Sequence, residues 1–538
     1  MTGLPDRREL VKAAVAAPML LAGLGREAVA APPSSPRPPL PSDRFHYVVA
    51  GAGHNSLICA AYLAKAGYRV LVVEGQPEIG GGCKTTERLL PGFKEDWCSA
   101  THGLIASNPL VSHDELRLEQ YGYEILRPDV VMHYPFGDGA SFTIFRGDLE
   151  RSAATIAQVS KADAETFRRM AALKSAAAAG DALAASYMKT LGQMSGYAAA
   201  RQVWRSPHLQ AAALAGGRFS GVSGSDFGTG SQSLSMMANL EGRPFPRGGS
   251  GMLAIALGRY IKAHGGVVLT RMPVTGLILE AGRCRGVECA DGRRFRAETA
   301  VVSTLHPKHL VAMAPAALWG EAFTQQVDLM QSELGMFVVH CALTEPPRYP
   351  LASGGTMLTP EAAAMEDPAS IFVPDRDAAE GELHLADYPL QVCHQSAFDP
   401  TRVPPGCGSV KVQGYVTYDL KGGPARWDEI KDQVADTVMS RYMKLTANLT
   451  PDKVLARHIV SPLDIERGNA SMWRSNVHGF DKRAGGFFPY RLPISGLYQT
   501  GDCTAPGGGI SGLPGRNAAE VILKDQGRSL DQVVASAT

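Results

Sequence analysis

The chain has 538 residues, 45% of them hydrophobic and 20% charged, a composition that folds rather than stays disordered. Lys plus Arg number 53 and Asp plus Glu 52, a formal charge of +1. That balance excludes a protein that grips nucleic acid through a basic excess. At about 150 residues per domain, the length predicts two to four units or one large body with insertions.

The first thirty residues read as a targeting segment. Asp6-Arg7-Arg8-Glu9-Leu10 resembles a twin-arginine export motif, an Ala-rich apolar stretch runs from Ala13 to Gly25, and Ala28-Val29-Ala30 offers a small-x-small cleavage pattern. The alternative is an amphipathic N-terminal helix. The export reading implies the twin-arginine machinery as a partner and a periplasmic location. It also implies a protein folded around its cofactor before transport. A cytoplasmic or membrane-associated location is the alternative, and peripheral membrane contact is compatible with either. Residues 31–44 form a Pro-rich linker. After the N-terminus no apolar run is long enough to span a bilayer.

The folded body is expected to begin near Phe45. His46–Ala50 reads as a buried strand, followed by Gly51-Ala52-Gly53-His54-Asn55-Ser56, a helix ending at Gly67, and a second strand that ends at Glu74. This is a βαβ unit with a dinucleotide fingerprint. Gly51 permits the tight turn. Gly53 lets the pyrophosphate approach the backbone at the helix N-terminus. Ser56 stands where the third glycine usually does, and Glu74 is placed to accept from the ribose hydroxyls. A second glycine segment, Gly80-Gly81-Gly82, follows with Lys84 beside it. FAD enzymes of the glutathione-reductase and amine-oxidase kind carry such a segment, whereas NAD-only domains do not need it.

Residues 108–245 lie outside the cofactor segments, and their Ala-rich stretch from 153 to 217 has helical spacing. Phe245-Pro246-Arg247-Gly248-Gly249-Ser250-Gly251-Met252-Leu253 opens another helix. A strand at 267–274 follows, and in two-dinucleotide flavoproteins the residue at Val274 often meets the adenine with its backbone. Hairpin-like alternation leads to a buried strand at Ala300–Thr304. Segments 335–343, 390–398 and 409–418 alternate like strands. Near the end a short strand runs into Gly501-Asp502, then a glycine-rich turn through Gly509, Ile510 and Leu513 opens a helix. Asp502 is suited to the ribityl hydroxyls, and the turn to the flavin ring.

GAGHN with its Ala-rich helix, PRGGSGML and PGGGISGLPGRNAAE are together similar to phytoene desaturases and desaturase-type carotenoid ketolases. The similarity runs from about residue 47 to about 524. It implies an FAD-dependent oxidoreductase that desaturates an apolar or polyene-like small molecule and passes electrons to oxygen or a quinone. Alternatives are a carotenoid ketolase or saturase, an FAD amine oxidase, and a flavin-binding protein without turnover.

The expected fold is α/β, a Rossmann-like FAD domain of the two-dinucleotide type with an inserted mixed α/β substrate domain. The FAD domain takes residues 45–107, 246–324 and 441–538, and the substrate domain 108–245 and 325–440. No catalytic residue is singled out. His102 and His306 are weak candidates, with His394 and His478 behind them, and each also reads as structural. Cys503 is weighed as a covalent flavin link or a packed core residue. Nine cysteines with no CxxC pair and no Cys/His ligand spacing predict no metal.

Overall fold

The computed structural model describes residues 44–219, 222–235, 237, 239–332, 334–372, 377, 380–384, 389–477 and 485–536. The twin-arginine motif, the Pro-rich run up to residue 43 and His478 lie outside the described residues. Strand β1 (Arg44–Ala50) enters helix α1 (His54–Lys65) and returns as β2 (Val70–Val73). A hairpin of β3 (Val130–Pro135) and β4 (Ser141–Phe145) follows. Helices α2 (Leu149–Val159), α3 (Lys161–Ala178), α4 (Ala182–Gln193), α5 (Gly196–Val203) and α6 (Pro207–Arg218) come next. Helix α7 (Met252–Ala263) leads to β5 (Val267–Leu269), β6 (Val274–Glu280), β7 (Arg283–Cys289) and β8 (Arg294–Ser303). The chain continues through β9 (Leu334–Leu343), β10 (Glu361–Ala364), β11 (Leu390–Cys393) and β12 (Gly408–Thr417). It goes on through α8 (Trp427–Lys444), β13 (Val454–Val460), β14 (Leu497–Gln499) and α9 (Leu513–Asp525), and a last short helix covers Leu530–Ala535.

The first sheet runs β6-β7-β8-β1-β2-β5, with β14 joined to β8. Its parallel part is β5, β2, β1, β8 and β14. Val70–Val73 and Val301–Val302 are fully buried, which is why these strands read as continuous apolar runs, and Val70, Val72 and Val302 face a helical layer. Helix α1 is buried from Asn55 through Ala64. Its alanines let it lie between the sheet and its neighbours α7 and α9, as an all-round apolar helix must.

The second sheet runs β13-β9-β12-β11-β10-β3-β4. Strand alternation splits its residues cleanly. Phe337, Val339, Cys341, Val410 and Val412 join the core under α8, where Trp427, Val434 and Val438 meet them. Met336, Val338 and Tyr415 pack on the opposite face against Trp97 and Met472.

The boundary expected at residue 441 does not hold. It falls inside α8, and β13, assigned to the FAD domain, pairs with β9 of the second sheet. Strand partners this far apart along the chain are chosen by tertiary packing, so a linear reading cannot place them. Arg44–Thr538 form one compact unit. Among the described residues no helix is long and apolar enough to cross a membrane.

A Cβ on Gly515 of α9 would lie 2.2 Å from the Asn55 carbonyl oxygen of α1. Gly515→Ala is therefore expected to destabilise the fold by about 1–3 kcal/mol through overpacking, read as a lower thermal midpoint of the loaded enzyme. An unchanged midpoint would refute the tight α1–α9 seam.

Candidate functional site: a dinucleotide cleft between two sheets

The turn after β1 is set by close backbone contact. Gly51 has φ +96°, donates its N–H to the Val73 carbonyl at 2.7 Å, and would put a Cβ 2.3 Å from Thr304 Cγ2. Only glycine fits there. Gly53 caps α1 in extended conformation with no side-chain cap, so the first helical N–H groups stay available to an anion. The Ser56 hydroxyl lies 2.8 Å from the Gly51 carbonyl and 2.9 Å from that of Gly53. Ser56 thus ties the turn from behind; it is fully buried and does not line the cleft, contrary to the expected contact.

At the end of β2 the Glu74 carboxylate accepts from the Ala52 N–H at 2.7 Å and the Gln76 N–H at 2.8 Å. Burial raises its pKa, and these two bonds oppose that shift. The second glycine segment docks on the first, with the Gly80 N–H donating to the Ala52 carbonyl at 2.7 Å. A Cβ on Gly81 would stand 3.3 Å from Gly53 Cα. Gly81, Gly82 and Lys84 line the cleft, and the buried Lys84 ammonium sits 4.1 Å from the Trp97 ring centroid. Val274, at the start of β6, lines the same end.

The far end comes from the segment after β14. Gly501 has φ +108°, and its Cβ would fall 2.7 Å from Thr304 Oγ1. Asp502, Gly509 and Ile510 line the cleft, and burial lifts the Asp502 carboxyl to about 6. Leu513 begins α9 without reaching the cleft, which corrects the expected contact. His54, given no role by the sequence reading, also lines the cleft. Burial lowers its pKa to about 4, and its Nε2 has no partner among the described residues. With residues of the second sheet these walls enclose about 660 Å³. Glycines pressed against backbone, a helix N-terminus and an anchored carboxylate fit a dinucleotide.

The other candidates stay outside. His102 is fully buried between Tyr123 Oη and Ser250 Oγ, each at 2.8 Å, and burial lowers its pKa to about 3. His306 stacks on Trp473, accepts from the Lys308 N–H at 3.2 Å, and is likewise pushed to about 3. His394 meets Tyr349 Oη at 3.1 Å. None of the three lines the cleft. Cys503 is buried and absent from the lining, and burial raises its thiol pKa well above the usual range. It supplies no thiolate for a covalent link.

The sequence reading missed the end of the cleft away from Glu74. It is formed by Thr101, Asn239 and Arg243 with Met336, Gln391, Cys393, Gln413 and Tyr415 from the second sheet. The Arg243 guanidinium pairs with Glu361, which is 1% exposed, at 2.5 and 3.0 Å. Beside this end, Glu95, His340 and His458 bring one ligand atom each within 4.8 Å of one another. Lys411 and Arg402 act on His340 there, which disfavours a further cation.

A family model described as "Flavin containing amine oxidoreductase" matches residues 114–385, and one described as "NAD(P)-binding Rossmann-like domain" matches 49–113. The chain belongs to the flavin containing amine oxidoreductase family. It is an FAD-dependent oxidoreductase, as the sequence led one to expect. Pyridine nucleotide-disulfide oxidoreductase domain-containing protein 2 of Mus musculus is 26% identical to this oxidoreductase, over 89% of this chain and 94% of that one. A limonene dehydrogenase chain of Castellaniella defragrans is 25% identical, over 91% and 97%. Among solved structures, an oxidoreductase from Methanosarcina mazei matches with TM-score 0.61 and 19% identity, over 90% of this chain and 100% of that one. Putrescine oxidase matches with TM-score 0.59 and 13% identity, over 90% and 99%. These two show the shared fold.

Glu74→Ala is expected to weaken FAD retention about tenfold, read as the flavin-to-protein absorbance ratio after gel filtration. Retention equal to wild type would sink its role. Asp502 titrates at about 6 in the folded chain against 3.8 as a free group, so the folded state holds its proton more tightly. Its contribution to stability is present at low pH and is lost as pH rises through about 6. Asp502→Asn should flatten that decline in the FAD-free protein, measured as denaturant midpoint against pH; an unaltered profile would contradict it.

Proposed function

We propose that this oxidoreductase dehydrogenates an uncharged, largely apolar small molecule and passes the electrons to oxygen or a quinone. Gly51, Gly53, Gly81, Gly82 and Lys84 would hold the pyrophosphate, Glu74 the adenosine ribose, Val274 the adenine, and Asp502, Gly509, Ile510 and Gly501 the flavin end. The carrying observation is the single cleft that joins these residues to Met336, Gln413 and Tyr415 of the second sheet. FAD, when bound, supplies the two-electron acceptor. Two adjacent carbons of the substrate would each lose a hydrogen, one as the hydride that bound FAD would accept and one as a proton released to water, with a C=C bond formed between them.

The protein's part is to orient the substrate. At the second-sheet end burial raises the pKa of the Cys393 thiol and of the Tyr415 phenol and keeps both protonated, which supports hydride loss without a dedicated protein base. The lining carboxylates Glu74, Glu78 and Asp502 all stand on the nucleotide turns, which argues against a site built for an ammonium. The relative named for limonene supports an apolar molecule. The Arg7-Arg8 motif supports export to the periplasm through the twin-arginine machinery. Leu183 and Phe227, 84% and 82% exposed, support peripheral membrane contact.

Anaerobic mixing of the FAD-loaded enzyme with cyclic and polyene hydrocarbons is expected to bleach the oxidised-flavin band, and reoxidation by air or a quinone to restore it. Bleaching by primary amines alone would overturn the reading.

A further inference from the structure

A carboxylate only accepts hydrogen bonds. Glu361 is buried behind the lining residue Arg243, whose Nε and Nη2 donate to its two oxygens. Gln391 Nε2 also donates to it, so the amide of Gln391 must present its NH₂ to Glu361 and its oxygen to the other side. Gln413 Nε2 donates to that oxygen at 2.7 Å. The polarity is thereby handed on, and Gln413 is left with its oxygen at the end of the chain. That Oε1 is buried and has no partner among the described residues. Both glutamines line the cleft. Strand pairing enforces the arrangement, because Gln391 and Gln413 are register partners across β11 and β12.

A buried acceptor without a partner is costly, and a donor brought into the cleft would satisfy it. The charge is already settled, since Glu361 is neutralised by Arg243. We infer that Gln413 Oε1 is a specificity element for an uncharged hydrogen-bond donor, so that the substrate class is an apolar molecule bearing a hydroxyl. This rests on the proposed oxidation of an apolar substrate and narrows it. The hydroxyl is recognised here and takes no part in the redox step. A ketone would set oxygen against oxygen, and an ammonium would meet no net negative charge.

The test titrates the FAD-loaded enzyme with p-menthane, menthol, menthone and menthylamine, following the perturbation of the flavin absorbance. Wild type is expected to bind menthol about five- to tenfold more tightly than p-menthane, with menthone no tighter than p-menthane. Gln413→Leu should abolish the menthol advantage over p-menthane. Gln391→Leu frees the Gln413 amide to turn and should bring menthone close to menthol. Gln413→Met replaces the leucine variant should the latter not load FAD. Equal binding of menthol and p-menthane by wild type, or a menthol advantage that survives in Gln413→Leu, overturns the inference alone. Menthylamine binding more tightly than menthol overturns it in favour of a cation. If none of the four probes perturbs the spectrum of the loaded enzyme, the apolar-substrate reading falls and the inference with it.

Discussion

Thr304 is the point on which the cofactor end depends. Its methyl group occupies the space a Cβ at Gly51 would need, and its hydroxyl the space a Cβ at Gly501 would need. Three chain segments, the ends of β1, β8 and β14, therefore converge on one side chain. They can do so only because two of them carry glycine in a left-handed conformation. The Thr304 N–H donates to the Ala50 carbonyl at 3.0 Å and holds the group together. The helix N-termini of α1 and α9 are brought close by the same convergence, and a helix N-terminus is where a phosphate is best received.

The second sheet contributes the opposite kind of surface. Its strands bury apolar residues on the helix side and carry Gln391, Lys411, Gln413 and His340 on the cleft side. Buried polar groups persist only when they are paired, and here most are. Glu361 takes Arg243 and Gln391, Asp96 takes Arg402, and His458 meets Glu95 at 2.8 Å. Among the buried atoms left without a partner, Gln413 Oε1 and His54 Nε2 belong to residues that line the cleft.

The two histidines offered as weak catalytic candidates show how a residue type misleads without its surroundings. His102 and His306 follow cofactor segments in the sequence, yet each is buried away from the cleft and held neutral by desolvation. Ser56 is a subtler case. A small residue was required at that position, and serine met the requirement, but its hydroxyl serves the turn instead of the ligand.

The nucleotide half was legible because it is local. A strand, a glycine turn, a helix and an acid some twenty residues on lie within one βαβ unit, so spacing alone places Gly51, Gly53 and Glu74 on one wall. The same holds for Gly501 through Ile510, read as strand, turn and helix start. Alternation also marked β9, β11 and β12 as strands. What it could not supply was their partners. Gln391 meets Gln413, β13 joins β9, and Arg243 finds Glu361 only when segments far apart in the chain are paired by packing. Local backbone geometry is written in neighbouring residues, whereas strand register and buried charge pairs are decided by which surfaces must leave water together.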